Sequence, residues 1–231
     1  MYNWEYGVVS FIDILGFSSI VERDARKLDP ENLKRIDDGL NEVRQTSKDS
    51  GIEIILFSDS IVLSANLENQ GIIEILINSI AIQKSLLSRN ILTRGGIAFG
   101  KHYQDDKTLY SEALIKAYNL ETKIAKFPRV IIEHDLLDWL RNDQDTTPEQ
   151  IKQAASLTLI DKDDQIFLDY LTPELLSHSL EILNSTTKLK YTSGVLEKYQ
   201  WLDSYHNHKC IPDFPELRCR AYMQGFTKPN T

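Results

Sequence analysis

The chain of 231 residues is poor in cysteine, short of basic charge and free of any long uninterrupted apolar run. Its two cysteines, Cys210 and Cys219, stand in neither a CxxC nor a Cys/His spacing, which argues against a disulfide framework or a zinc site. Lys and Arg number 26 against 34 Asp and Glu, a formal charge of −8. That balance argues against a nucleic-acid partner, because phosphate contacts along a strand need clustered cations. It leaves room for a local basic pocket. The most apolar stretch, residues 71–87, is broken by Glu74, Asn78, Gln83 and Lys84, so it reads as a core helix and no membrane partner is expected. The opening MYNWEYG has neither the basic start nor the apolar centre of a secretory signal. These absences together point to a cytoplasmic, reducing setting.

Two strand-like runs, residues 8–17 (VVSFIDILGF) and 52–64 (IEIILFSDSIVLS), each carry one aspartate, Asp13 and Asp59. A carboxylate inside an apolar strand is expensive to bury unless it is paired, hydrogen-bonded or bound to a metal. Gly16 and Ser18 follow the first aspartate, and Ser58 and Ser60 flank the second, so a backbone can approach a ligand at both places. As a pair they suggest a two-carboxylate site for divalent metal and phosphate. Taken singly, each also reads as a strand-end cap or turn residue.

Residues 8–14 read as a buried strand. Leu33, Ile36, Leu40 and Val43 recur at helical spacing, which predicts a helix over 30–48 with Asp29 as its cap and Pro30 in its first turn. Segments 52–57 and 61–65 form a hairpin about Ser58-Asp59-Ser60. The isoleucines of 71–88 favour strand, but the length of the segment favours helix. A strand over 92–99 holds Thr93-Arg94-Gly95-Gly96, and adjacent glycines in a strand mark close approach of a backbone or a ligand. Residues 111–126 form an amphipathic helix through Ala113, Leu114, Ala117, Tyr118, Leu120 and Ile124, and 130–132 a short strand. The order β-α-β-β-α-β-α-β is an α+β, ferredoxin-like split βαβ pattern over residues 1–135. Beyond it, Thr147-Pro148-Glu149 and Thr172-Pro173-Glu174 are helix starts. Segments 157–160 and 166–171 flank a polar turn, and Leu196, Tyr199, Leu202 and Tyr205 mark a last helix. Residues 136–231 therefore read as a helical and hairpin C-terminal extension packed on the first domain.

The motifs FIDILGF, FSDSIV, TRGGIAFG and ALIKAYNLE, in this order and spacing, resemble the class III nucleotide cyclase domain. Within that class they look most like the bacterial pyrimidine cyclases of the Pycsar antiphage systems. The resemblance covers residues 7–133. It implies that Asp13 and Asp59 bridge two divalent cations, Mn2+ or Mg2+, with the backbone carbonyl of Ile14 completing one shell. It implies that the amides of Leu15, Gly16 and Phe17 cradle a triphosphate, and that the chain works as a homodimer. Purine cyclases read their base with a lysine or glutamate at the position of Ile55 and an Asp or Cys at that of Thr108. Their helix asparagine and transition-state arginine fall at Ile115 and Asn119.

These departures imply a pyrimidine nucleoside triphosphate, UTP or CTP, converted to its 3′,5′-cyclic monophosphate and pyrophosphate. The resemblance further implies that the product signals to a separately encoded effector in antiphage defence. Arg94, with glycines beside it that leave room for a ligand, is the candidate catalytic cation, and it reads equally as a surface arginine at a strand edge. Lys116 and Lys123 read as solvated helix-face lysines, and His206 and His208 lack a third metal ligand. A nucleotide sensor without turnover and a purine cyclase stay open as alternatives. A diguanylate-cyclase-like transferase is disfavoured, because no GGDEF-like hairpin exists.

Overall fold

The structure, a computed structural model, describes residues 4–46, 51–186 and 192–210. Lys48 of the helix expected over 30–48, and Cys219, lie outside the described residues. The first part runs β1 (Glu5–Ile14), α1 (Phe17–Asp24), α2 (Glu31–Thr46), β2 (Glu53–Phe57), β3 (Ser60–Asn66), α3 (Asn69–Leu87), β4 (Thr93–Gln104), β5 (Leu109–Ser111), α4 (Glu112–Lys123) and β6 (Val130–Ile132). It continues with α5 (His134–Asn142), α6 (Pro148–Ser156), β7 (Thr158–Ile160), β8 (Ile166–Leu168), α7 (Leu176–Thr186) and α8 (Ser193–Cys210). One sheet in the order β2-β3-β1-β4-β6-β8-β7 joins them, with β5 paired to β4 off that path. Among the described residues only the β4–β6 pair is parallel, the crossover between them being made by α4. The β7–β8 hairpin thus continues the sheet built by residues before 135.

Alternation along β1 distributes its side chains between two cores. Val8, Ile12 and Ile14 join the large cluster with Ile72, Ile73, Leu76 and Ile80 of α3. Val9 and Phe11 point the other way, to a small cluster with Val62 and with Ala113 and Leu114 of α4. Ser10, on the α3 side, is buried and bonded to Ser79 Oγ at 2.8 Å, which removes the cost of an orphan hydroxyl. The isoleucine-rich α3 is a helix as its length suggests: it is buried on most of its surface, and packing overrides the strand preference of β-branched residues. No helix among the described residues is long and apolar enough to cross a membrane.

Two local expectations change. The start of α2 is not capped by Asp29: Asp24, at the end of α1, accepts the Leu33 amide at 2.9 Å and the Asn32 side-chain amide at 2.7 Å. Spatial return of the chain, not adjacency in sequence, supplies the acceptor. The glycines beside Arg94 do not leave room for a ligand either. A Cβ on Gly96 would lie 2.4 Å from the Ala117 carbonyl oxygen and 2.5 Å from Leu120 Cβ, and one on Gly95 would lie 2.3 Å from the Phe11 carbonyl oxygen. The space is filled by α4 and by β1, so the pair serves helix–strand packing.

Candidate active site

The register of β1 sets Ser60 of β3 and Arg94 of β4 opposite Asp13, at the end of the strand. Asp13 shares the α4 face with Val9 and Phe11, two and four residues before it. Asp59 lies in the two-residue turn between β2 and β3, where Ser58 takes the left-handed conformation (φ 56°). This turn folds back over the end of β1, and the Asp59 carbonyl accepts the Ile14 amide at 3.0 Å. Two carboxyls far apart in sequence thereby come close enough to act on each other electrostatically.

The charges are unbalanced. Arg94 Nε lies 3.3 Å from Asp13 Oδ2, and its Nη2 lies 2.5 Å from Glu121 Oε1. Glu121 is 2% exposed, so it meets Arg94 from within the helix–sheet interface. Burial pushes the Asp13 carboxyl above its ordinary range; Arg94 opposes this and the Asp59 carboxylate reinforces it. Glu121 is raised for the same reasons, by burial first, against Arg94, with Asp13 and Asp59 adding to it. Asp13 and Glu121 thus share one guanidinium in a partly desolvated cleft, with the Asp59 charge acting on both. A divalent cation between Asp13 and Asp59 would offset that excess, and hard carboxylate oxygens are the ligands such cations take. The donor set fits in kind, although no group of three or more His, Cys, Asp or Glu ligands is assembled among the described residues.

Of the amides expected around a triphosphate, that of Leu15 already donates to the Leu92 carbonyl at 2.9 Å. Gly16 is left-handed (φ 75°) and opens α1, whose first amides, from Phe17 onward, have no intrahelical acceptor. Gly16 and Phe17 are therefore the amides with capacity. Ile55 packs with Phe11, Leu109 and Leu114 around the Val9 cluster. Thr108 is held by its amide on Asp105 Oδ1 (2.7 Å) and lines a groove of about 320 Å³ with Trp4, Tyr103 and Tyr110. Lys116, expected in solvent, donates to the Phe99 carbonyl at 3.1 Å and so anchors α4 to β4. Glu121 escaped the sequence reading, yet a signal existed: Ala113, Ala117 and Glu121 recur every four residues, on the stripe that is buried.

The sequence matches no family model and no curated protein. Among solved structures the fold is similar to the adenylyl cyclase CyaB from P. aeruginosa, with a TM-score of 0.52 and 16% identity, over 73% of this chain and 95% of that one. It is also similar to a bacterial light-regulated adenylyl cyclase, with a TM-score of 0.52 and 16% identity, over 79% of this chain and 58% of that one. With its sheet order and α4 laid across β4, the chain has an α+β fold like that of these class III nucleotide cyclase structures.

Proposed function

We propose that this protein is a pyrimidine nucleotide cyclase that converts UTP, and less readily CTP, to the 3′,5′-cyclic monophosphate and pyrophosphate. The observation that carries the reading is the meeting of Asp13 and Asp59 across the end of β1, with Arg94 alongside. In the reaction the ribose 3′ oxygen attacks the α-phosphorus in line, its proton is lost, and the bond to pyrophosphate breaks. Two divalent cations, Mn2+ or Mg2+, held by Asp13, Asp59 and the Ile14 carbonyl, would supply acidification of the hydroxyl and neutralisation of the phosphate charge. Phosphoryl transfer asks the protein mainly for positioning and charge. Arg94, retained on one side by Glu121, can exchange Asp13 for a phosphate oxygen, and the Gly16 and Phe17 amides can donate to the others.

Ile55 neither donates to nor accepts from a base edge, and Thr108 is shorter than a purine-reading carboxylate. Both features favour a pyrimidine over ATP or GTP. A homodimer completes the proposal: Ile115 and Tyr118 on α4 and Phe57 at the hairpin are exposed apolar side chains that a second copy would cover. The cellular role we assign, a signal to a separate effector during phage infection, follows from the resemblance of the motifs.

One observation favours a second reading, nucleotide binding without turnover. Arg94 is engaged by two carboxylates, and α4 offers Ile115 and Asn119 where a transition-state cation is wanted. Incubation with each of the four triphosphates and manganese, followed by mass identification of products, separates these outcomes. Cyclic UMP in excess of cyclic AMP supports the proposal. Equal turnover of ATP and UTP removes the pyrimidine assignment, and saturable binding with no product supports the sensor.

A further inference from the structure

The segment that leads from α4 into β6, Phe127-Pro128-Arg129, is gripped by residues of the C-terminal part. Arg129 is fully buried; its guanidinium bonds Asp161 and forks onto Asp163, with Nη1–Oδ1 at 2.9 Å and Nη2–Oδ2 at 2.6 Å. Asp161 also accepts the Trp201 indole N–H of α8 at 2.5 Å. The Trp201 ring lies parallel to that of Phe127, with centroids 6.0 Å apart and 5° between planes. The Tyr170 hydroxyl donates to the Pro128 carbonyl at 2.8 Å.

The carbonyl of Arg129 then accepts the amide of Gly95 at 3.0 Å, and β6 runs on with Val130 opposite Gly95. Gly95 directly follows Arg94. The direction of a strand side chain is set by its backbone, so whatever fixes Arg129 fixes the edge of β4 that aims Arg94 at Asp13 and Glu121. On α8, one turn before Trp201, Lys198 lies within electrostatic reach of Glu121. A buried ion pair such as Arg129–Asp161 stabilises a fold little compared with apolar packing of the same volume. What it can supply is a fixed geometry.

We infer that the β7–β8 hairpin, Tyr170 and α8 position Arg94 by clamping Arg129: Tyr170, Asp161 and Trp201 are positioning residues for the candidate site, remote from the reacting atoms. This rests on the proposed function only in taking Arg94 as a ligand of the triphosphate. The test uses the full chain with Tyr170→Phe, which deletes one hydroxyl, and Arg129→Lys, which keeps the charge but not the fork. Hydrogen exchange read by mass spectrometry should show residues 93–97 opening about tenfold faster in either variant, the loss of one hydrogen bond's worth of protection, with 60–66 unchanged. Affinity for inorganic tripolyphosphate should fall several-fold in an otherwise wild-type chain and no further in an Arg94→Gln background. Equal acceleration in both strands, no change in either, or the same tripolyphosphate loss with and without Arg94 would overturn the inference. If the wild-type protein does not bind tripolyphosphate, the proposed function fails on that arm, and the exchange pattern alone still judges the clamp.

Discussion

Asp13 and Glu121 show how single residues here trade stability against a site. Both carboxyls are raised by burial, so the folded chain binds these protons more readily than the unfolded one. Their contribution to stability is therefore complete below the ordinary carboxylate range and is lost as pH rises through their folded values. Asp13→Asn should accordingly melt higher than wild type at neutral pH, an advantage that disappears below about pH 4, where both carry a neutral side chain. Thermal melts across pH 3.5–8 read this directly, and a variant less stable at every pH would contradict it. Asp59→Ala removes the neighbouring charge that helps raise Asp13. It should keep the fold, lose all turnover, and lose the rise in melting temperature that manganese gives the wild-type protein. Wild-type turnover by Asp59→Ala would refute the carboxylate pair.

At the scale of elements, the contact between α4 and β4 holds the site together, because α4 carries Glu121 and β4 carries Arg94. Gly96 permits that contact, with no room for even one methyl group before the Ala117 backbone. Gly96→Ala should cost about 1–3 kcal/mol as the helix is pushed outward. Activity should fall by more than the folded fraction does, since Glu121 moves with the helix. Chemical denaturation beside turnover measures both. The α1–α2 junction makes a second test, since Asp24, not Asp29, accepts the Leu33 amide. Asp24→Ala should lower the melting temperature by a few degrees, whereas Asp29→Ala should leave it within error.

At the scale of the whole molecule, one sheet runs from the β2 edge to the β7 edge, and residues on both sides of 135 build it. The exposed Ile115 and Tyr118 leave α4 with an uncovered apolar flank. Ile115→Glu should convert a dimer in sedimentation to a folded monomer and abolish turnover at every concentration. A wild-type chain that sediments as a monomer at micromolar concentration, with activity linear down to nanomolar, would exclude the dimer.

Periodicity and punctuation in the chain already determined the hairpin around Asp59, the capped helix at Thr147, the class of fold and most of the order of strands and helices, because these depend on neighbours within a few residues; the short elements α1, β5 and α5 carried too little pattern to be read. Local pattern also singled out Asp13 and Asp59, since a charge inside an apolar run is conspicuous without knowing its partner. Tertiary structure alone decided who meets whom. It brought Asp24 to α2, filled the space at Gly96 with a helix, put Glu121 beneath Arg94, and tied Arg129 to Asp161, Asp163 and Trp201. Each of these is a contact between residues at least eight positions apart, and most span more than twenty. Such contacts are selected by the packing of whole faces against one another, and no window of local sequence carries that information.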